Sequence, residues 1–147
     1  MEVAFHFNVS ATTDYCCRLL RKAHGRGARV TVTGPRQRLL DIDQQLWALS
    51  PTEFVPHAWA DAAAEVLMCS PIVLCETLTP PEPGETPPML LNLSEQIPAD
   101  YTQYERVIEV VGLGEDERAL ARHRWRAYDQ AQHQLTRHDA VQTSGVT

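Results

Sequence analysis

The sequence is poor in the features that ordinarily announce an enzyme or a membrane protein. No apolar run approaches the roughly 18 to 20 residues that span a bilayer, and the opening Met1-Glu2-Val3-Ala4-Phe5 lacks the basic stretch of a signal peptide. The expectation is a cytoplasmic protein with no membrane partner. Neither GxGxxG nor GxxxxGK[ST] occurs, and the turn Asn8-Val9-Ser10-Ala11-Thr12-Thr13 after the first predicted strand has no glycine to let backbone approach a pyrophosphate. No serine sits in GxSxG, so an acyl-transfer nucleophile has no signature. The six histidines form no HxxxH or HExxH pair, and the four cysteines (Cys16, Cys17, Cys69, Cys75) form no CxxC. Together these spacings exclude the usual zinc sites and leave the thiols reduced, packing as small hydrophobes. Positive charge is also in deficit: 13 Lys and Arg against 19 Asp and Glu give a net charge of -6. The average surface therefore repels phosphate, and a local basic patch would stand out.

What is present suffices for one globular core: 147 residues of which 44% are hydrophobic, near the commonest domain size. Val3 to Val9 is rich in strand formers, and Ser10 to Thr13 offer caps for a helix from Asp14 to about His24, with Cys16, Leu19, Leu20 and Ala23 on one face. Gly25-Arg26-Gly27 ends that helix, and Arg29 to Thr33 is a β-branched strand. Strand, helix, strand implies a right-handed parallel crossover. A second helix follows Gly34-Pro35, carrying Leu39, Leu40, Ile42, Leu46 and Trp47, and Ser50-Pro51 closes it. Asp41 and Asp43 on this helix point apart, form no carboxylate pair, and read as solvated charges. Phe54-Val55-Pro56-His57 belongs at a strand end or sheet edge because proline cannot donate to a central ladder. Further strands are predicted at Ile72 to Glu76, Met89 to Leu93 and Arg106 to Val111, with an exposed proline-rich loop over Thr79 to Pro88. A last helix runs from Glu115 to about Gln134, with three acids in its first turn. The order predicts an α/β, Rossmann-like layered fold: a mostly parallel sheet with helices on both faces, in a single domain over residues 1–135 with a frayed tail over 136–147.

That last helix is locally basic in an acidic chain. At 100° per residue Arg118, Arg122, Trp125 and Arg126 share one stripe, and Leu120, Ala127, Tyr128, Ala131 and Leu135 lie opposite, toward the expected core. Arg124 falls on the core side, where a snorkelling or ion-paired role fits it. Tryptophan between guanidinium groups is the composition of a binding hot spot, although arginines on a surface helix can equally be a solvated face.

These segments carry a resemblance. Leu46-Trp47-Ala48, the following Phe54-Val55-Pro56-His57, and Leu120-Ala121-Arg122 through Arg124-Trp125-Arg126-Ala127-Tyr128 resemble the chi subunit family of the bacterial DNA polymerase III holoenzyme, in the same order and spacing and across essentially the whole chain. The resemblance implies a non-catalytic accessory protein of the clamp-loader assembly, with no cofactor or metal. It implies two partners: the psi subunit, contacted through Phe54, and the C-terminal tail of single-stranded DNA-binding protein, which is acidic and ends in phenylalanine with a free carboxylate. For that tail the resemblance points to Arg122 at the terminal carboxylate, Trp125 as the aromatic wall, Arg126 and Arg118 for upstream aspartates, and Val111 lining the pocket. Nucleic acid would be reached only indirectly. Two rivals stand beside this reading: a nucleotide enzyme working at the strand carboxyl ends, and a direct single-stranded nucleic-acid binder using the arginine helix.

Overall fold

A computed structural model describes residues 1–48, 56–62, 70–78 and 89–140. Seven parallel strands form one sheet in the order β3-β4-β2-β5-β6-β1-β7. They are β1 (Glu2–Val9), β2 (Val30–Thr33), β3 (His57–Trp59), β4 (Ile72–Cys75), β5 (Met89–Asn92), β6 (Arg106–Gly112) and β7 (Gln134–Asp139). Helices α1 (Thr12–Gly25) and α2 (Arg36–Trp47) cover one face and α3 (Glu115–Gln130) the other. The layered α/β architecture expected from the element order is the one that forms. No helix among the described residues is long and apolar enough to cross a membrane.

Strand periodicity divides the core in two. Val3 and Phe5 of β1 meet Val107 and Val111 of β6 and Ala121 and Tyr128 of α3, whereas Ile108 and Val110 face Cys16, Leu20, Ile42 and Leu46 of α1 and α2. Successive side chains alternate between the faces, and both are covered, as an all-parallel sheet requires. Gly34 marks the tightest approach: a Cβ there would lie 2.8 Å from the Leu93 Cβ, so its absence lets the β2–α2 turn cross the end of β5.

Several expectations need correction. The N-cap of α1 is Ala11, extended and without a side-chain cap; Asp14 in the first turn hydrogen-bonds Gln45 and ties α1 to α2 instead. Asp43 is not a free surface charge, because His57 Nε2 lies 2.8 Å from its carboxylate and pins the edge strand β3 to α2. The last helix stops at Gln130, and Thr136 to Asp139 are not frayed: Gln134–Asp139 pairs along β1 from Glu2↔Gln134 to Phe7↔Asp139, while residues 141–147 of the expected tail lie outside the described residues. Gln132 makes this turn, at φ 65°, in the left-handed region where glycine is the usual helix stop. With that glycine missing, and β7 reading Gln-Leu-Thr-Arg-His-Asp, neither the stop nor the strand has a strong signature. Ala127 and Ala131 are exposed; the buried residues of α3 are Ala121, Arg124 and Tyr128. Phe54, the Ser50-Pro51 stop, the 79–88 loop and Cys69 lie outside the described residues.

Candidate functional site

The stripe predicted on the last helix looks onto a cavity of about 390 Å³ between α3 and the β1–β7 edge of the sheet. All five residues expected there line it: Val111 from the end of β6, and Arg118, Arg122, Trp125 and Arg126 from α3. Phe5, Phe7 and Asn8 of β1, Ala121 of α3 and Arg137 of β7 complete the lining. The four strand residues among them carry no local signal, because strand pairing brings them to α3, whereas Ala121 lies on the helix beside Arg122 and shares its spacing.

Local structure explains each position. Phe5 faces α3 and meets the Trp125 ring edge-on, 5.1 Å between centroids, a geometry that aligns the positive ring edge with the negative face. Asn8 adopts φ 62°, which asparagine tolerates better than most residues, and the β1–β6 register breaks between His6 and Val9. From there its side chain accepts from Arg118 Nη2 at 3.1 Å and donates to Asp139 at 3.3 Å. One amide thereby links α3, β1 and β7 at the mouth of the cavity. Four guanidinium groups and no carboxylate line the space, and among the described residues Arg122, Arg126 and Arg137 make no ion pair. A concave site with aromatic walls and uncompensated cations is chemically suited to a group that is both anionic and apolar.

Arg124 behaves differently, as its place on the core side led us to expect. Its Nε donates to the fully buried Glu109 carboxylate at 3.1 Å, and its Nη1 donates to the Glu95 carbonyl at 2.9 Å. Tyr128 and Asn92 donate to the same carboxylate at 2.7 and 2.9 Å. Burial pushes the Glu109 pKa up, while Arg124 and the two neutral donors pull it back. The network fixes the rotation of α3 on the sheet and so aims Arg122, Trp125 and Arg126 at the cavity.

The crevice where a doubly wound sheet ordinarily takes a ligand, at the carboxyl ends of its strands, is a separate space of about 130 Å³ beside Pro35, Leu93 and Val110. Glu95, Asp116 and Glu117 line it together with two cations, Arg38 and Arg124, of which Arg124 is committed to Glu109. Glu117 Oε2 accepts the Gly112 N–H at 2.9 Å. The chain's own carboxylate thus holds the backbone donor that ends β6, just before α3 begins. The described thiols offer no nucleophile: burial pushes Cys16 and Cys17 up to about 12 and Cys75 to about 11. Among the described residues no cluster of three or more His, Cys, Asp or Glu could hold a metal ion.

The fold and the cavity define an α/β layered protein with a cationic, aromatic cleft that opens between α3 and the β1–β7 edge of the sheet. Residues 1–136 match the family described as DNA polymerase III chi subunit, HolC. The DNA polymerase III subunit chi of Pseudomonas aeruginosa is 30% identical over 130 residues, covering 88% of this chain and 87% of that protein. The chain belongs to the DNA polymerase III chi subunit family, an accessory subunit of the replicative polymerase complex.

Proposed function

We propose that this subunit is a non-catalytic adaptor that bridges the psi subunit and the acidic C-terminal tail of single-stranded DNA-binding protein during replication. The observation that carries the reading is the convergence of Val111, Arg118, Arg122, Trp125 and Arg126 on one cleft without a lining carboxylate. A peptide ending in phenylalanine with a free carboxylate needs cations and an apolar seat within a few ångströms of each other, and capture of a C-terminal carboxylate is an established recognition mode. Arg122 is assigned the terminal carboxylate, since a guanidinium fork donates two charge-assisted hydrogen bonds to it. Trp125 with Phe5 forms the seat for the terminal ring, Val111 its floor, and Arg118 and Arg126 draw the upstream aspartates.

Arg122 is exposed, so its replacement leaves the core untouched while removing the pairing. Arg122→Ala is expected to weaken a labelled tail peptide by about 2 kcal/mol, roughly thirtyfold, in an anisotropy titration. Affinity for the wild type should fall as salt rises past roughly 0.15 M, where the Debye length is about 8 Å. A tail lacking its final phenylalanine is the control. Equal affinity of both proteins for the full tail would remove the assignment. Tight, salt-sensitive binding of a bare single-stranded oligonucleotide, with none of the tail, would favour the direct nucleic-acid reading instead.

A further inference from the structure

One wall of the cleft does not come from the helix. The β1–β7 register sets Leu135 beside Val3 and Arg137 beside Phe5. Residues two apart on a strand share a face, so these two look toward α3, while His138 stacks on His6 on the opposite face. The Arg137 guanidinium carbon lies over the Trp125 ring, 5.2 Å from its centroid, and Phe5 meets the same ring edge-on. Trp125 is therefore contacted both by a cation on β7 and by an aromatic ring on β1. Arg137 is exposed, lines the cavity and makes no ion pair among the described residues.

We propose that Arg137 is a binding and specificity residue of the cleft: it fixes the Trp125 ring from above and presents a positive charge from the strand side, so that an acidic peptide is gripped between β7 and α3. The proposal rests on the tail-binding reading. A row of arginines along one helix would attract any polyanion that reached the surface. Cations converging from two walls instead favour carboxylates that enter the cleft alongside an apolar group, because only those are paired from both sides at once.

The test titrates a labelled acidic peptide ending in phenylalanine into wild type, Arg137→Met, Arg137→Lys and Arg122→Ala at roughly 50 and 200 mM salt, at a temperature where melting curves show every variant folded. Methionine keeps an apolar stem against Trp125 and removes the charge. Arg137→Met is expected to bind about fivefold more weakly at the lower salt, with the deficit narrowing at the higher. Arg137→Lys should recover most of the salt-dependent part. If Arg137→Met binds like wild type at both salts while Arg122→Ala is weakened, the proposal is overturned and the tail reading stands. If the wild type does not bind the peptide, both fall.

Discussion

His6 sits on the α1 face of β1, where its Nδ1 shares a hydrogen bond with the Tyr15 hydroxyl and its ring stacks on His138 at 4.5 Å. Burial, then His138 and Arg106, lower its pKa from 6.5 to about 4. The folded protein therefore binds this proton more weakly than the unfolded chain does, and stability falls as pH drops from about 6.5 toward 4. One pKa unit corresponds to about 1.4 kcal/mol, and partial exposure reduces what is realised, so the expected loss between pH 7 and 5 is about 1 kcal/mol. Urea titrations at both pH values measure it: His6→Gln should be less acid-sensitive than wild type by that amount, and an unchanged pH dependence would show that His6 is not responsible. At this scale the sequence was informative wherever one helix collected the residues. Arg118, Arg122, Trp125 and Arg126 recur at helical spacing, so their shared face was readable without a fold. Phe5 and Arg137 are neighbours only through strand pairing, which no local spacing encodes. Asn8 lies between these cases, since an asparagine closing a strand is a recognised candidate for φ > 0.

The orientation of α3 depends on a polar network rather than on an apolar stripe. Its buried residues are Ala121, Arg124 and Tyr128, and two of these reach Glu109, which is wholly buried on β6. Removing one partner of a buried ion pair leaves the other charge uncompensated, a loss of about 3 to 5 kcal/mol. Arg124→Ala should therefore lower the unfolding free energy by about 3 kcal/mol, and adding Glu109→Gln should recover a good part, because glutamine carries no charge to strand. Chemical denaturation of the two variants checks this; a loss below about 1 kcal/mol for Arg124→Ala would mean that packing, not the pair, sets the helix. The elements themselves were largely readable: the β-branched run in β2 and the acidic first turn of α3 carry strong local chemistry. The exceptions share one cause. Where tertiary pairing substitutes for local signals, as at Gln132, β7 and the uncapped start of α1, residues of weak propensity are held by their neighbours.

The whole molecule separates two edges. His57 and the exposed Trp47 mark the β3 edge, their rings 5.2 Å apart, and the cationic cleft lies at the β7 edge. Six strand spacings of about 4.8 Å put these edges about 29 Å apart. An adaptor with one partner at each edge could hold both at once. We expect Phe54→Ala, three residues before the start of β3, to weaken psi binding by about 2 kcal/mol and to leave affinity for the tail peptide unchanged. Calorimetry with each partner and melting curves check this; a lowered melting temperature with normal psi binding by the folded variant would assign Phe54 to the core, and a parallel loss of tail binding would show that the edges are not independent. The strand order also imposes a timetable. β3, β4, β2 and β5 come from a contiguous half of the sequence and pair among themselves, but Val3 of β1 pairs with Val107 and Leu135. On a ribosome the first strand emerges long before either neighbour exists, and closing such distant contacts is the slow part of folding. The cleft needs β7 for its second wall, so a nascent chain halted before that strand would carry the arginine helix without Arg137 facing it.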